Sequence, residues 1–447
     1  MSNNGMSNNK DTYQVGLFGL GVVGSSVVNI LRNNSELIRS RLGRGLTVTR
    51  AVVADPGKKR GCDLSGIEVS TDPESILGDP EIDIVVELIG GVDTACDVVL
   101  RALDGGKPVV TANKALLAER AKEVFSKVYE TNLSFGMEAS VAGGIPVLRS
   151  LKEGLSGDRI LEISGIVNGT CNYILSKMTD QGASFDDVLA EAQQLGYAEA
   201  DPTFDVDGFD AAHKLAVLVN LAYGTMVPFG DIHVEGIRKV TPMDIEFAGM
   251  LGYAIKLLAI GKRNGDKVEA RVHPTLVEKD HLLAAVNGVF NAVFLTGDNV
   301  DATMSYGRGA GGEPTGSAVV SDIIDIARNI SAGIPSKIPV LSVMPEHLSD
   351  LAVQSMDDVQ SEYYLRFQVV DRSGVLAAIT RVFGEFDISI QSMIQPSRAI
   401  HPDMPVQVIL LTHRAREADV KRGLAAIAPM DFILGETQLI RIERFSG

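Results

Sequence analysis

The run TYQVGLFGLGVVGSSVVNILRNN, residues 12–34, sets the first condition on the fold. A short apolar stretch ends on Gly19, Gly21 and Gly24, and the apolar spacing beyond them is that of a helix. A strand, a glycine turn and a helix in this order leave N–H groups and the positive end of the helix dipole open to a phosphate. Gly19 permits the tight turn, Gly21 lets a pyrophosphate approach the backbone, and Gly24 allows close helix–strand packing. GxGxxG by itself is a weak pattern; its place between a strand and a helix makes it informative. Leu20, Val22 and Val23 belong to the same candidate cofactor-binding loop.

The pattern repeats downstream. LTVTRAVVAD (46–55), IDIVVELIG (82–90) and KPVVTAN (107–113) have strand composition, with helical spacing from Thr94 to Leu103. Such alternation implies right-handed crossovers and a parallel sheet. The chain therefore reads as α/β, with a disordered polar tail at 1–11 and a Rossmann-type dinucleotide-binding domain at 12–135. An α+β catalytic and dimerisation domain is expected at 136–330, with strands at 133–141 and 159–167. It would hold helices opening at Ser184, Asp210 and Thr241-Pro242, and a hairpin over Asn264-Gly265. A glycine loop containing Gly311 then feeds a last helix. Residues 331–360, with Pro335, Pro339 and Pro345, read as a linker, and 361–443 as β-α-β-β-α-β, the ferredoxin-like order.

Charge excludes some functions. With 41 basic and 57 acidic side chains the net charge is −16, which opposes general binding to nucleic acid. Three scattered cysteines suit a reducing compartment and form no disulfide or zinc framework. No apolar run approaches the roughly 18 residues of a membrane span, and the polar start is no signal peptide, so a cytoplasmic location is expected. Asp55, near the end of the second strand, suits the free ribose of NAD, whereas Lys58, Lys59 and Arg60 suit a 2′-phosphate, which leaves NAD and NADP both open.

EADPTFDVDGFDAAHKLAVL (199–218) is the densest chemistry. Asp201, Asp205, Asp207 and Asp210 crowd ten residues, and Lys214 lies one helical turn beyond Asp210 at the head of an apolar run. Taken alone, Asp210 and Lys214 make an ordinary i,i+4 pair, and Asp201 and Asp207 make turn or capping residues. His213 points off the Asp210–Lys214 face and reads as structural. Lys114 alone is a solvated lysine at a strand end.

Taken together, the glycine loop, VVTANKALLA (109–118), MEASVAGGIPV (137–147), GIVNGTCNYIL (165–175) and GYAEADPTFDVDGFDAAHK (196–214) stand in the order found in homoserine dehydrogenases. The resemblance runs from about residue 13 to 442, and DRSGVLAAIT (371–380) is similar to part of an ACT domain, a small amino-acid-sensing module. With no aspartate-kinase segment ahead of it, the chain resembles the monofunctional form. The resemblance implies NAD(P)-dependent interconversion of L-homoserine and L-aspartate 4-semialdehyde, in threonine, methionine and isoleucine biosynthesis. It further implies Lys214 as proton donor and acceptor, Asp210 beside it, and Lys114 at the nicotinamide side. Glu199, Asp205, Asp210 and Thr170 would contact substrate, and Gly196 the cofactor, along with Gly311. Glu138, Val141, Gly143 and Ile145 match positions whose main-chain oxygens bind a monovalent cation such as Na+. A homodimer or homotetramer and feedback by an amino acid, threonine first, are also implied. One departure is Ala54, where relatives often carry an arginine, which weakens the expectation of a strong NADP preference.

The chemistry suits these residues. Hydride leaves an alcohol carbon only as the hydroxyl proton is taken, so a positioned acid–base group serves both directions. A free lysine is too basic for this at neutral pH, and burial or a neighbouring cation would correct it. A substrate ammonium needs carboxylates. Two other readings fit the scaffold: a dehydrogenase of another small amino or hydroxy acid, and a catalytically silent amino-acid sensor. A sensor has no use for a proton-transfer lysine, and the chain has two candidates. In the carboxy-terminal module, the turn at Asp371–Gly374 could receive a ligand carboxylate or could serve a ligand-free dimerising domain.

Overall fold

A computed structural model describes residues 10–396 and 405–445. The chain forms two compact units, one of residues 1–163, 212–231 and 290–351, the other of 164–211, 232–289 and 352–447. Residues 1–9 of the expected tail lie outside the described residues. Lys10 and Asp11 are held to the first unit's sheet, Lys10 Nζ lying 2.9 Å from Asp83 Oδ1 and Asp11 O accepting from Gly45 N at 2.9 Å.

The first unit is built on a parallel sheet. Its six strands lie in the order Glu68–Ser70, Gly45–Val52, Thr12–Phe18, Ile84–Glu87, Val109–Thr111 and Phe135–Gly136. Val15, Leu17, Ile84, Val85, Val109 and Val110 are wholly buried, as expected where helices cover both faces of a parallel sheet. The order reverses between Thr12–Phe18 and Ile84–Glu87. The crevice at their carboxyl ends is thus the topological switch point, where open α/β sheets bind ligands. The helix Gly312–Ala332 shares this core through Val319, Ile323 and Ala327, although it lies far along the chain. Gly316 lets it approach the helix Val22–Asn33, since a Cβ there would sit 3.0 Å from Ser26 Cβ.

The expected strand at 133–141 is mostly absent. Only Phe135–Gly136 pairs, as the sixth parallel strand, and Glu138–Ser140 turn as a 3-10 helix. The cause is local bonding: Ser140 Oγ donates to Met137 O at 2.6 Å, and the Glu138 carboxylate turns inward to main-chain N–H groups.

The second unit rests on the antiparallel hairpin Tyr253–Asn264 and Lys267–Glu278, which closes at Gly265 (φ +64°) and Asp266, one residue later than expected. Three short strands tile the outer edge of Lys267–Glu278, all parallel to it. Ala352–Val353 faces Lys267–Val268, His233–Val234 faces Arg271–Val272, and Gln438–Ile442 faces Thr275–Leu276. Gln438–Ile442 is also the last strand of the ferredoxin-like module. It pairs antiparallel with Gln360–Val370, which pairs with Pro405–Thr412 and so with Ile390–Ile394. One sheet therefore runs from the hairpin into the module. The helices Val375–Glu385 and Glu417–Ile427 cover it over a core containing Tyr363, Phe367, Phe383 and Val420.

The stretch read as a linker carries structure of its own. It contains the 3-10 turns Pro345–His347 and Met356–Asp358 and the strand Ala352–Val353, and it buries Val340, Leu341 and Leu351. Each piece is too short to show a period.

Candidate active site

The cofactor cradle is assembled within the first unit. Gly19 has φ +92°, and a Cβ there would lie 2.6 Å from Leu88 O; a Cβ on Gly24 would lie 2.3 Å from Gly19 O. Gly19 thus excludes a side chain for conformation and for packing, and Gly24 for packing alone. Gly21 differs: it meets nothing within 4 Å, and it caps the helix Val22–Asn33 without a side-chain bond. Val22, in the first helical turn, is 76% exposed. The first-turn N–H groups therefore face open space beside a glycine, which fits a dinucleotide's pyrophosphate. Gly311 (φ +122°) precedes the helix Gly312–Ala332, where a Cβ on Gly312 would lie 2.7 Å from Ser26 Oγ. This brings the 309–312 loop against the glycine-loop helix.

At the end of the second strand, Asp55 is exposed and accepts from Gly57 N at 2.9 Å. Lys58 and Lys59 are exposed, whereas Arg60 donates to Leu20 O at 3.1 Å and to Asp55 O. Arg60 thus ties this loop to the glycine loop.

Lys114 begins the helix Lys114–Glu119 and is half-buried. A buried chain of bonds sets its place. Thr111 Oγ1 donates to Glu87 Oε2 at 2.6 Å and accepts from Asn113 N at 3.0 Å. Asn113 caps the helix by accepting from Leu116 N at 3.1 Å and donates to Gly91 O at 2.6 Å. Burial raises the Glu87 carboxyl above the ordinary range. At the other end of this helix Glu119 lies 3.1 Å from His213 Nε2, and His213 packs on the Phe229 ring at 4.3 Å. Sequence reading missed Glu87 and Asn113, although an acid inside the apolar run IVVE signals a buried partner.

The second unit gathers several of the expected substrate residues. Asn168 is the centre: its amide donates to Asp205 Oδ1 and Asp210 Oδ2, each at 2.8 Å, and its oxygen accepts from Cys171 N at 2.7 Å, capping the helix Gly169–Gln181. Thr170 Oγ1 donates to Tyr197 O at 2.7 Å and lies 3.3 Å from Asp205 Oδ2. Asp205, Asp210 and Thr170 therefore form one hydrogen-bonded group. Glu199 and Gly196 lie on the exposed loop after the helix Phe185–Gln194. Asp201 closes a turn by accepting from Thr203 N at 3.1 Å, and Asp207 pairs with Arg238 at 2.5 Å. Asn168 was not singled out from sequence, where only Thr170 of NGT was matched to a substrate contact.

Asp210 and Lys214 stand one turn apart on the helix Phe209–Tyr223, within which the boundary between the units falls. Asp210 is 6% exposed and Lys214 is half-buried. An acid and a lysine are thus carried one turn apart on one helix.

The bend at 138–145 has two consecutive left-handed residues, Ala142 (φ 54°) and Gly143 (φ 50°). Gly143 presses on the 309–312 loop, a Cβ there meeting Gly309 O at 2.6 Å, and Gly144 N donates to Arg308 O at 3.3 Å. The Glu138 carboxylate is engaged by Leu148 N at 2.9 Å and Arg149 N at 2.7 Å. Burial, and next the nearby Asp322 carboxylate, push Glu138 up to about 7. Val141 and Ile145 are buried at the two sides of the bend. Among the described residues no cluster of three or more His, Cys, Asp or Glu could hold a metal ion.

Such a fold and cradle define a dinucleotide-dependent dehydrogenase with an appended ferredoxin-like module. Among the described residues no helix is long and apolar enough to cross a membrane. The family model for the NAD-binding domain of homoserine dehydrogenase matches residues 19–135, that for homoserine dehydrogenase matches 146–324, and that for the ACT domain matches 363–428. Homoserine dehydrogenase of Pseudomonas aeruginosa is 45% identical over 433 residues, covering 97% of this chain and 99% of the relative. That of Bacillus subtilis is 40% identical over 430 residues, covering 96% and 98%. The crystal structure of a homoserine dehydrogenase from Thiobacillus denitrificans superposes with a TM-score of 0.90 at 44% identity, covering 97% and 99%. A hyperthermophilic archaeal homoserine dehydrogenase solved with NADPH has a TM-score of 0.59 at 25% identity, covering 72% of this chain and 99% of its own. The chain belongs to the homoserine dehydrogenase family. Its reaction is the NAD(P)-dependent interconversion of L-homoserine and L-aspartate 4-semialdehyde.

Proposed function

We propose that Lys214 exchanges the proton of the substrate oxygen and that the acids grouped by Asn168 hold the substrate ammonium. The supporting observation is the group itself: Asn168 fixes Asp205 and Asp210, and Asp210 leads by one helical turn to Lys214. Two carboxylates and the Thr170 hydroxyl suit an ammonium group, which offers three donors. Glu199, on its exposed loop, adds a third carboxylate to substrate binding. Hydride acceptor and donor chemistry at the substrate carbon would be supplied by the nicotinamide of a bound NAD(P). Gly19–Gly24, with Leu20, Val22 and Val23, receive the pyrophosphate on first-turn N–H groups, and Gly311 borders it; Gly196 is a cofactor residue by the family resemblance alone. The NADPH complex of the archaeal relative supports NAD(P) as the cofactor. Lys114 stands at the nicotinamide side and shares the proton chemistry.

Main-chain oxygens of Glu138, Val141, Gly143 and Ile145 hold a monovalent cation, Na+ first, and thereby brace the bend against the 309–312 loop. The carboxy-terminal module brings feedback by an amino acid, threonine first. The enzyme acts in the cytoplasm as a homodimer or homotetramer. The test of the chemistry follows absorbance of the reduced nicotinamide with L-homoserine and NAD or NADP. Lys214→Ala should lower kcat by about 100-fold or more while cofactor binding persists. A variant nearly as active as the parent would end the role given to Lys214.

A further inference from the structure

A cavity of about 530 Å³ opens in the second unit between the loop 235–240 and the ferredoxin-like module. We propose that this cavity binds a free α-amino acid and that its occupancy acts on Asp205; the inference rests on the feedback reading above and gives it a location. The lining holds four carboxylates and four cationic side chains. A phosphate or a polyamine would need a surplus of one sign, whereas a zwitterion matches a balanced wall. Lys239 and Glu436 face each other at the mouth, 2.6 Å apart and 72% and 77% exposed. An ion pair so exposed contributes little, and a ligand carboxylate and ammonium can take the place of each partner. Val240, Pro274 and Leu439 give the wall an apolar patch for a short aliphatic side chain.

The floor is rigid by contrast. Arg441, 2% exposed, donates to both Glu235 oxygens at 2.9 Å and to Glu417 Oε2 at 2.9 Å. Although burial opposes it, the His233 and Arg441 contacts hold Glu235 well below the ordinary carboxylate range. A ligand is therefore expected to move the rim and leave the floor in place.

The rim leads directly to the substrate acids. Gly236 has no room for a side chain, since a Cβ would lie 2.2 Å from Val206 O. Ile237 N donates to the same Val206 O at 2.8 Å, and Arg238 holds Asp207. Val206 and Asp207 directly follow Asp205, whose carboxylate accepts from Asn168. Displacing 237–239 thus pulls on the backbone beside Asp205 through one hydrogen bond and one ion pair. Inhibition follows if the amino acid binds more tightly to the form with a displaced rim than to the active one.

The experiment uses the full-length enzyme. Calorimetric binding and the initial rate of homoserine oxidation are measured with L-threonine, L-isoleucine and L-methionine, for the parent, Lys239→Ala and Glu436→Gln. Inhibition is expressed against each protein's own uninhibited rate. At least one amino acid should bind and inhibit the parent, and both variants should weaken binding and inhibition about tenfold or more, the loss of one charge-assisted hydrogen bond. Its N-acetyl and methyl ester derivatives should bind as weakly. If the parent is inhibited and both variants respond alike, the site lies elsewhere and the feedback reading stands. If none of the three binds the parent, both fall.

Discussion

Asn168 offers the sharpest perturbation, because one side chain performs two separable tasks. It is 4% exposed, it caps the helix Gly169–Gln181, and its amide joins Asp205 to Asp210. Asn168→Ala removes the cap, about 1 kcal/mol. It also removes two hydrogen bonds to carboxylates, each about 1.5–3 kcal/mol at full value. Asp205 is only half-buried and can recover part of its loss from water, so the expected sum is about 2–4 kcal/mol. Asn168→Ser keeps a good cap but lacks the amide, and should recover about 1 kcal/mol of this. Urea unfolding at constant slope measures the first effect, and KM for L-homoserine the second. Both variants should raise KM for homoserine about tenfold or more and leave KM for NAD(P) unchanged. A serine variant with the parent's KM would show that the amide does not set the acids, and the argument for the ammonium site would fail.

Other expectations follow from the same geometry. Gly21→Ala should melt like the parent, because its Cβ enters open space, yet bind NAD(P) about tenfold or more weakly by titration of nicotinamide fluorescence. Gly24→Ala should instead lower the melting temperature, since its Cβ would meet Gly19 O at 2.3 Å. Burial pushes Glu138 up to about 7 and Asp322 up to about 6, both above their ordinary values of 4.5 and 3.8. For acids raised in the folded state, the stabilisation is full below the ordinary values and lost as pH rises through the raised ones. The urea midpoint should therefore fall as pH rises above the ordinary values of 3.8 and 4.5 and level off once pH has passed about 6 and about 7, and Asp322→Asn should flatten part of that fall. Arg441→Ala leaves the fully buried Glu417 beside an uncompensated site and should cost about 3–5 kcal/mol of stability. A loss below about 1 kcal/mol would show the floor to be loosely held.

Much of this was legible before any coordinates. The glycine loop and its alternating strands specified the parallel sheet, because period and turn chemistry agree at every crossover. The Thr241 cap was equally plain, and its reciprocal bonds with Asp244 are present. What the sequence hid is long-range. Nothing near Asn168 says that its amide meets Asp205 and Asp210, 37 and 42 residues away. Nor does the spacing in 307–330 say that this helix completes the core of a sheet begun at residue 12. The bend at 138–145 misled because MEASV has strand composition, while the inward turn of Glu138 depends on N–H groups supplied ten residues later. The strand Ala352–Val353 is too short for any pattern.

The three-piece covering of Lys267–Glu278 has a consequence for biogenesis. A nascent chain that has emerged only to residue 300 would present the far end of this apolar strand, around Thr275 and Leu276, as a bare hydrogen-bonding rim open to neighbouring polypeptides. That rim closes only when residues 441–442 arrive, after the rest of the ferredoxin-like module has been made. Premature stops that remove the carboxy-terminal module should therefore yield insoluble material, and the module doubles as a seal over that edge.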